Sequence, residues 1–354
     1  MPFLPSELPA PVARILSAGT VIPAHPLALD AERRFDERHM RALTRYYLDA
    51  GAGGLAVGVH TTQFAIREAG LYRPVLEQVM ATVRDWSTEP RVMIAGICGP
   101  TRQAVHEARI ARDLGYHAGL LSLAALRDAG EEALLAHCRE VAEVLPLVGF
   151  YLQPAVGGIR LPVSFWRRFF TLERVLAVKV APFDRYATLE VLEGLVEAGA
   201  ERRIALYTGN DDHILPDLLL PFRLRRGDGE EVELRFIGGL LGHWAVWTER
   251  AVDLHRRCRE AAARGAVPAD LLGLDAAVTG MNAALFDVAN GFAGCIAGIQ
   301  QVLWRQGLLA SPLCLDPNER LSPGQVEAID RVRRLWPELL DDGFVAANRA
   351  RWLA

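Results

Sequence analysis

The chain alternates short apolar runs with longer amphipathic segments, and this alternation restricts its fold more than any other feature. The apolar runs are residues 54–59, 92–97, 118–121, 147–152, 175–180 and 204–207. The segments with helical spacing of apolar residues are 36–50, 71–86, 101–114, 131–144 and 188–198. Apolar runs without polar alternation indicate strands covered on both faces, as in a parallel sheet. Repeated strand–helix alternation therefore predicts a parallel α/β fold.

The number of strand–helix units favours a closed barrel over an open sheet. With a first strand near residues 13–22 and a last one near 235–240, about eight units fall within roughly 250 residues, the size of a (β/α)8 TIM barrel. A doubly wound open sheet is the alternative, but no GxGxxG stretch follows a predicted strand. We expect a barrel over residues 1–265, with a polar hairpin inserted at about 221–236, and a C-terminal helical domain over 266–354.

One lysine indicates the chemistry. Of the 39 Lys plus Arg residues, 38 are arginine and only Lys179 is lysine, inside the apolar run VLAVKV. It ends the sixth predicted strand, where barrel enzymes place their active sites. Burial there lowers the pKa of an amine, and a neutral amine forms Schiff bases with carbonyl substrates. The alternative is a buried stem whose ammonium reaches solvent, but arginine would serve that purpose and cannot be deprotonated.

Hydroxyl groups at two other predicted strand ends are candidates for proton transfer and substrate binding. Tyr151 ends the fifth predicted strand, beside that of Lys179, and its phenol is a candidate general acid and base; the alternative is a core tyrosine. Thr61 and Thr62 follow the second predicted strand. They are candidates for binding a carboxylate and relaying protons, or are capping threonines of an ordinary loop.

Five segments together resemble the dihydrodipicolinate synthase and N-acetylneuraminate lyase family of class I, pyruvate-dependent aldolases. They are residues 19–36, 49–64, 148–158, 176–184 and 207–212, within a resemblance that runs from about residue 19 to 267. The resemblance implies a (β/α)8 barrel with C-terminal helices, assembly as a homodimer or homotetramer, and no cofactor. It also implies that Lys179 forms the Schiff base, Tyr151 is the general acid and base, and Thr61 and Thr62 bind the keto-acid carboxylate, with Thr61 in the proton relay.

Departures from the family pattern predict a substrate other than that of dihydrodipicolinate synthase. Residues 60–64 read HTTQF where the family has GTTGE, and Val156 replaces an arginine that holds the aldehyde substrate. A different polar lining is expected, for a hydroxylated or aromatic keto acid. Its candidate residues are His60, Gln63, Gln153, Asn210 and His243. For residues 210–213 we expect a helix N-cap rather than a metal site, and for His243 packing against a tryptophan is an equal alternative.

Composition excludes several other classes. A net charge of −4 gives no reason to expect nucleic acid or an anionic membrane as partner, and no apolar run is long enough to span a bilayer. The N-terminus lacks the pattern of a signal peptide, and five dispersed cysteines without a CxxC pair favour neither disulfides nor a zinc site. We therefore expect a cytoplasmic lyase acting on a 2-oxo acid. The alternatives are a barrel that binds a keto acid or sugar acid without turnover, and an isomerase or phosphate-binding barrel.

Overall fold

Eight parallel strands form a closed barrel in the computed structural model, which describes residues 8–354. The strands are β1 (Val21–Pro23), β2 (Gly54–Val57), β3 (Val92–Ile97), β4 (Ala118–Leu121), β5 (Leu147–Leu152), β6 (Val175–Ala181), β7 (Ala205–Thr208) and β10 (Gly238–Leu241). They pair in the order β1-β10-β7-β6-β5-β4-β3-β2. The ends of this sheet meet where Ala24 bridges Ala56 and the His25 N–H donates to the Ala56 carbonyl at 2.8 Å. The predicted (β/α)8 barrel is confirmed, and the open sheet is wrong.

Eight helices between residues 8 and 354 surround the barrel, and two of them begin at an aspartate that caps them. The eight are α2 (Glu37–Asp49), α3 (Tyr72–Trp86), α4 (Thr101–Leu114), α5 (Glu131–Ala142), α6 (Val163–Phe169), α7 (Arg185–Glu197), α8 (Ile214–Leu219) and α9 (Thr248–Arg264). The Asp36 carboxylate accepts the His39 N–H before α2, and Asp184 accepts two backbone N–H groups before α7. Such caps satisfy N–H groups that the first helical turn leaves without partners.

The predicted first strand is a helix over most of its length. Residues 10–18 form α1 (Ala10–Ala18), and β1 covers only three residues after it. Val12, Ala13 and Leu16 recur at helical spacing, and Pro11 fits the first turn of a helix. These side chains cover the N-terminal end of the barrel interior, where the Tyr207 hydroxyl donates to the Leu16 carbonyl at 2.8 Å. Residues 1–7 of the predicted N-terminal segment lie outside the described residues.

The hairpin predicted at 221–236 is present. β8 (Phe222–Arg225) and β9 (Glu231–Leu234) pair antiparallel and are separate from the barrel sheet. The residues after the barrel form α10 (Ala269–Leu285), α11 (Cys295–Arg305), α12 (Gln325–Leu335) and α13 (Asp342–Leu353). Of these helices, α13 packs on α2 and α10 packs on α8, while α11 and α12 pack on α10. The Tyr46 hydroxyl on α2 donates to Asp341 at 2.6 Å. The division into two domains at residue 265 stays a prediction.

Several features are absent from residues 8–354. None of these helices combines the length and the hydropathy needed to cross a bilayer. The five cysteines are all free thiols. No group of three or more His, Cys, Asp or Glu side chains in this range lies close enough together to hold a metal ion.

Candidate active site

A cavity with about 540 Å³ of empty space opens at the carboxyl ends of the barrel strands, around Lys179. This position is typical of ligand sites in barrel enzymes. The polar residues that line it are His60, Thr61, Gln153, Lys179, Asp211 and Cys295. The structure thus brings together four of the nine residues predicted from the sequence, and it adds Asp211 and Cys295.

The Lys179 side chain lies inside the barrel, on β6. The residue is 9% exposed, and its Nζ lies 4.7 Å from the centroid of the Phe150 ring. Gly209 makes room for it, because a Cβ atom at that glycine would come within 2.5 Å of the Lys179 Cε. Burial lowers the pKa of the Lys179 amine from 10.5 to about 8. A substantial fraction of the amine is therefore neutral between pH 7 and 8, as nucleophilic attack requires.

Asp211 is a buried acid that faces the same cavity, directly after β7. One of its carboxylate oxygens, Oδ1, accepts the N–H of His243 at 2.8 Å. Burial raises the pKa of Asp211 to about 7, while the positive charge of Lys179 opposes that rise. The negative charge of Asp211 in turn raises the pKa of Lys179 against the effect of burial. The two groups thus compete for protons near neutral pH, as paired acids and bases of active sites do.

Asp211 is not among the predicted site residues, because the pattern of residues 210–213 favours a helix N-cap. In the structure α8 begins at Ile214, and the residue that precedes it, His213, makes no side-chain cap. The available signal was position: TGNDD follows the end of a predicted barrel strand, where inward-pointing acids reach the site.

Tyr151 packs on the outside of the barrel wall rather than among the described residues that line the cavity, and its role as general acid and base stays a prediction. Its hydroxyl accepts the N–H of Leu161 at 3.3 Å, and its ring centroid lies 5.4 Å from that of Trp166 on α6. Successive residues of a strand point to opposite faces. The residue paired with Lys179 across β5 and β6 is Phe150, which therefore takes the interior position.

The two threonines have different surroundings. Thr61 lines the cavity, and its hydroxyl donates to the Ala24 carbonyl at 2.8 Å. Thr62 does not line the cavity: its hydroxyl donates to the His25 carbonyl at 2.6 Å and accepts the N–H groups of Gly58 and Val59. These bonds fix the turn after β2. That Thr62 binds a substrate carboxylate stays a prediction, and its hydroxyl already makes three hydrogen bonds within the protein.

Gln63 and Asn210 also point away from the cavity. The Gln63 side-chain oxygen accepts the N–H of Leu315 at 2.6 Å and so joins the turn after β2 to the C-terminal region. The Asn210 amide donates to Asp217 at 3.1 Å and to Thr188 at 3.2 Å, both in the layer between strands and helices. Each side chain thus anchors a loop, and that these two residues bind substrate stays a prediction.

His243 likewise lies outside the cavity. Its ring is buried in a separate, mainly apolar cavity between α8, α9 and α10, with its centroid 5.8 Å from that of Trp247. Only its backbone N–H reaches the site, through the hydrogen bond to Asp211. Of the two alternatives for this residue, packing against a tryptophan is the one observed, and substrate binding by the side chain stays a prediction.

His60 and Gln153 supply neutral hydrogen-bonding groups to the cavity wall. Burial, and then the positive charge of Lys179, lower the pKa of His60 to about 4, so its ring is neutral at pH 7. Gln153 is buried and follows the end of β5. Each can donate a side-chain hydrogen bond to an oxygen of a bound molecule without adding charge.

The rest of the wall is apolar and comes partly from the C-terminal helices. Phe150 and Phe183 belong to the barrel, while Phe286 ends α10 and Cys295 begins α11. Phe286 fits because Gly242 has no side chain: a Cβ there would lie 2.7 Å from the Phe286 Cζ. Burial raises the pKa of the Cys295 thiol well above its usual value, so the thiol stays protonated.

Comparisons with known proteins agree with this architecture. The model of the Dihydrodipicolinate synthetase family matches residues 17–223, more than half of the chain. N-acetylneuraminate lyase 2 of Escherichia coli is 22% identical over 326 residues, 91% of this chain and 94% of that protein. The 4-hydroxy-tetrahydrodipicolinate synthase of Acidothermus cellulolyticus is 29% identical over 214 residues, 60% of this chain and 64% of that protein. The structure of CdNal from Clostridium difficile in complex with mannosamine gives a TM-score of 0.71 at 17% identity, covering 90% of this chain and 99% of that one.

Proposed function

Because this chain belongs to the Dihydrodipicolinate synthetase family, we propose that it is a lyase that forms a Schiff base between Lys179 and a 2-oxo acid such as pyruvate. The observation that carries the proposal is the buried Lys179 amine in a cavity at the carboxyl ends of the strands, opposite Asp211. The relatives named as lyase and synthase support the reaction class without defining the substrate.

The chemistry needs one amine and one group that moves protons. The neutral Lys179 amine attacks the keto carbon and gives a carbinolamine. The protonated Asp211 carboxyl donates its proton to the carbinolamine hydroxyl, water leaves, and an iminium remains. The Asp211 carboxylate then takes a proton from C3 to give an enamine. Aldol addition, its reversal and loss of a β-hydroxyl all proceed through this enamine.

Neutral side chains hold the keto-acid carboxylate in this proposal. The His60 ring and the Gln153 amide each donate one hydrogen bond to it. The Thr61 hydroxyl donates a hydrogen bond to the Ala24 carbonyl, so in this arrangement its oxygen accepts a hydrogen bond from the carbinolamine hydroxyl. No step requires a cofactor.

Reductive trapping tests the Schiff base. Incubation with pyruvate and borohydride should add one reduced pyruvate unit to the peptide that contains Lys179. The matched control is the double variant Lys179→Arg/Arg202→Lys, which keeps a single lysine but places it at an exposed position. This control should give no lysine adduct at the same pyruvate concentration. Equal labelling of wild type and control, or no labelling of wild type by several 2-oxo acids, contradicts the proposal.

A barrel that binds a keto acid without turnover is the second candidate, and the outward position of Tyr151 favours it. Exchange of the pyruvate methyl protons in D2O separates the two functions, because exchange requires the enamine and needs no aldehyde partner. The lyase should catalyse this exchange. A binding barrel should instead raise the thermal stability with pyruvate while the methyl protons stay unexchanged.

Two other expectations stay predictions. Assembly as a homodimer or homotetramer can be measured by sedimentation, and the cytoplasmic location by fractionation of the cells that produce the protein.

A further inference from the structure

None of the residues between 8 and 354 that line the cavity is an arginine, although the chain has 38. Lys179 is the only cationic side chain among the described residues that line the cavity, and the Schiff base consumes its amine. The arginine that follows β5, Arg160, is exposed and donates to Glu190 at 2.7 Å. Nothing in the cavity wall is therefore available to pair with a second carboxylate on the substrate.

A second carboxylate would also meet an acid. Asp211 lies in the wall with its carboxyl buried and beside Lys179. Burying a carboxylate without a cation is costly, and a like charge nearby increases that cost. The neutral polar groups of the wall are few, and in the proposed function they bind the keto-acid end of the substrate. They are those of His60, Thr61 and Gln153. A polyhydroxylated tail would leave several hydroxyls without partners.

The side chains that remain for the rest of the substrate are apolar, and three are aromatic. Phe150, Phe183 and Phe286 face the cavity from β5, the turn after β6 and the end of α10. Leu152 and Val156 complete this part of the wall. Aromatic rings pack against one another in edge-to-face or offset arrangements, which favours a flat apolar group between them.

Building on the proposed function, we propose that the group carried by C3 of the 2-oxo acid is uncharged and apolar, with an aromatic ring as the class that fits. Phe286 and Val156 are the residues that determine this specificity. Phe286 comes from the C-terminal helices, so that region contributes to substrate choice in addition to packing on the barrel.

A matched pair of 2-oxo acids tests the inference. 2-Oxo-4-phenylbutanoate and 2-oxo-4-(4-carboxyphenyl)butanoate differ by one carboxylate, and a six-carbon 3-deoxy-2-oxo sugar acid supplies the polyhydroxylated tail. All three compete for borohydride trapping at Lys179, with pyruvate trapped in parallel and yields normalised to trapping by N-α-acetyllysine. We expect the phenyl compound to be trapped at least about 10-fold more than either competitor, since an unpaired buried carboxylate or several unpaired hydroxyls oppose binding.

The outcomes separate the two proposals. Equal or greater trapping of the carboxyphenyl compound or of the sugar acid, with pyruvate still trapped, overturns the inference and leaves the proposed function intact. Absence of any adduct, including that of pyruvate, contradicts the proposed function and the inference with it.

Placing a cation in the wall should reverse the preference. Val156→Arg should increase trapping of the carboxyphenyl compound relative to the phenyl compound by about 10-fold or more, because the added guanidinium pairs with the carboxylate. Val267→Arg makes the same change at an exposed position and should leave the ratio as in wild type. A Val156→Arg protein that retains wild-type circular dichroism and pyruvate trapping but shows the wild-type ratio overturns the assignment of Val156.

Discussion

Two buried aspartates six positions apart lie on opposite sides of the barrel wall. Asp217, outside, accepts hydrogen bonds from Arg185 at 2.7 Å, Thr208 at 2.6 Å and Asn210 at 3.1 Å. Asp211, inside, accepts the backbone N–H of His243 and faces the cavity that contains Lys179. Burial is the largest influence on both carboxyls and raises the pKa of each.

The difference between them shows where burial serves stability and where it serves chemistry. The partners of Asp217 are side chains of the wall and the helix layer, so its carboxylate completes a closed hydrogen-bond network. Asp211 accepts backbone N–H groups, lines the cavity that contains Lys179 and has a pKa near 7. A buried group with a shifted pKa in the wall of a cavity can exchange protons with a bound molecule.

The largest expected effect is on catalysis at the inner aspartate. Asp211→Asn should lower the rate of pyruvate methyl-proton exchange by about 10²–10³-fold, the usual contribution of a general acid and base. Folding should be retained, because an asparagine oxygen can still accept the His243 N–H. Stopped exchange measured by NMR gives the rate. A variant within about 3-fold of wild type would remove Asp211 from the mechanism.

The pH dependence of the same rate gives an independent signature. In wild type the rate should rise with pH as Lys179 loses its proton, whose pKa is about 8, and fall as Asp211 loses its own, whose pKa is about 7. A maximum between the two values follows. In Asp211→Asn the descending limb should disappear, and the ascending limb should move to lower pH, because the negative charge that raises the pKa of Lys179 is gone.

The outer aspartate should affect stability instead. Asp217→Asn leaves at least one buried donor without its acceptor, which should lower the free energy of unfolding by about 1–3 kcal/mol. The exchange rate of the folded protein should stay within about 3-fold of wild type, since Asp217 does not line the cavity. Urea denaturation and exchange at a temperature below the unfolding transition measure the two effects. A large loss of exchange rate without loss of stability would contradict the structural role assigned to Asp217.

The smallest effect is expected at Tyr151. Tyr151→Phe removes a hydroxyl that accepts one long bond, 3.3 Å from the Leu161 nitrogen. The free energy of unfolding should fall by about 1 kcal/mol, the cost of leaving that N–H without an acceptor. The exchange rate should stay near that of wild type, measured with Asp211→Asn in the same series. A fall comparable to that of Asp211→Asn would place Tyr151 in the site and contradict its outward orientation.

The barrel and Lys179 could be predicted from the sequence. Which β5 side chain points into the barrel beside Lys179 could not be predicted, for a physical reason. The run LVGFYL is buried on both faces, so it has no polar alternation from which to tell the inner from the outer residue. The register between β5 and β6 also shifts between Leu147 and Val148. An irregularity of this kind changes which residue faces Lys179, and only a structure reveals it. Lys179 itself was identified because its chemistry, rather than its periodicity, was unusual.

The part of the cavity wall that comes from the C-terminal helices could not be predicted from the sequence for a different reason. Phe286 and Cys295 reach the cavity through packing of α10 and α11 over the barrel mouth, a contact between residues far apart in the chain. Thr62, Asn210 and His243 show the converse. Each has a polar side chain at a strand end, yet local hydrogen bonds or helix packing orient it away from the cavity.

The most direct test of Lys179 as the Schiff-base amine uses the fact that the chain contains one lysine. Protein labelled with [15Nζ]lysine and produced with a lysine-free tag contains one labelled side chain, so its nitrogen NMR spectrum should show one side-chain resonance. This resonance should titrate near pH 8 and move to the imine region when pyruvate is added. A titration midpoint near the ordinary value of 10.5, with no change on addition of pyruvate, would contradict this role of Lys179.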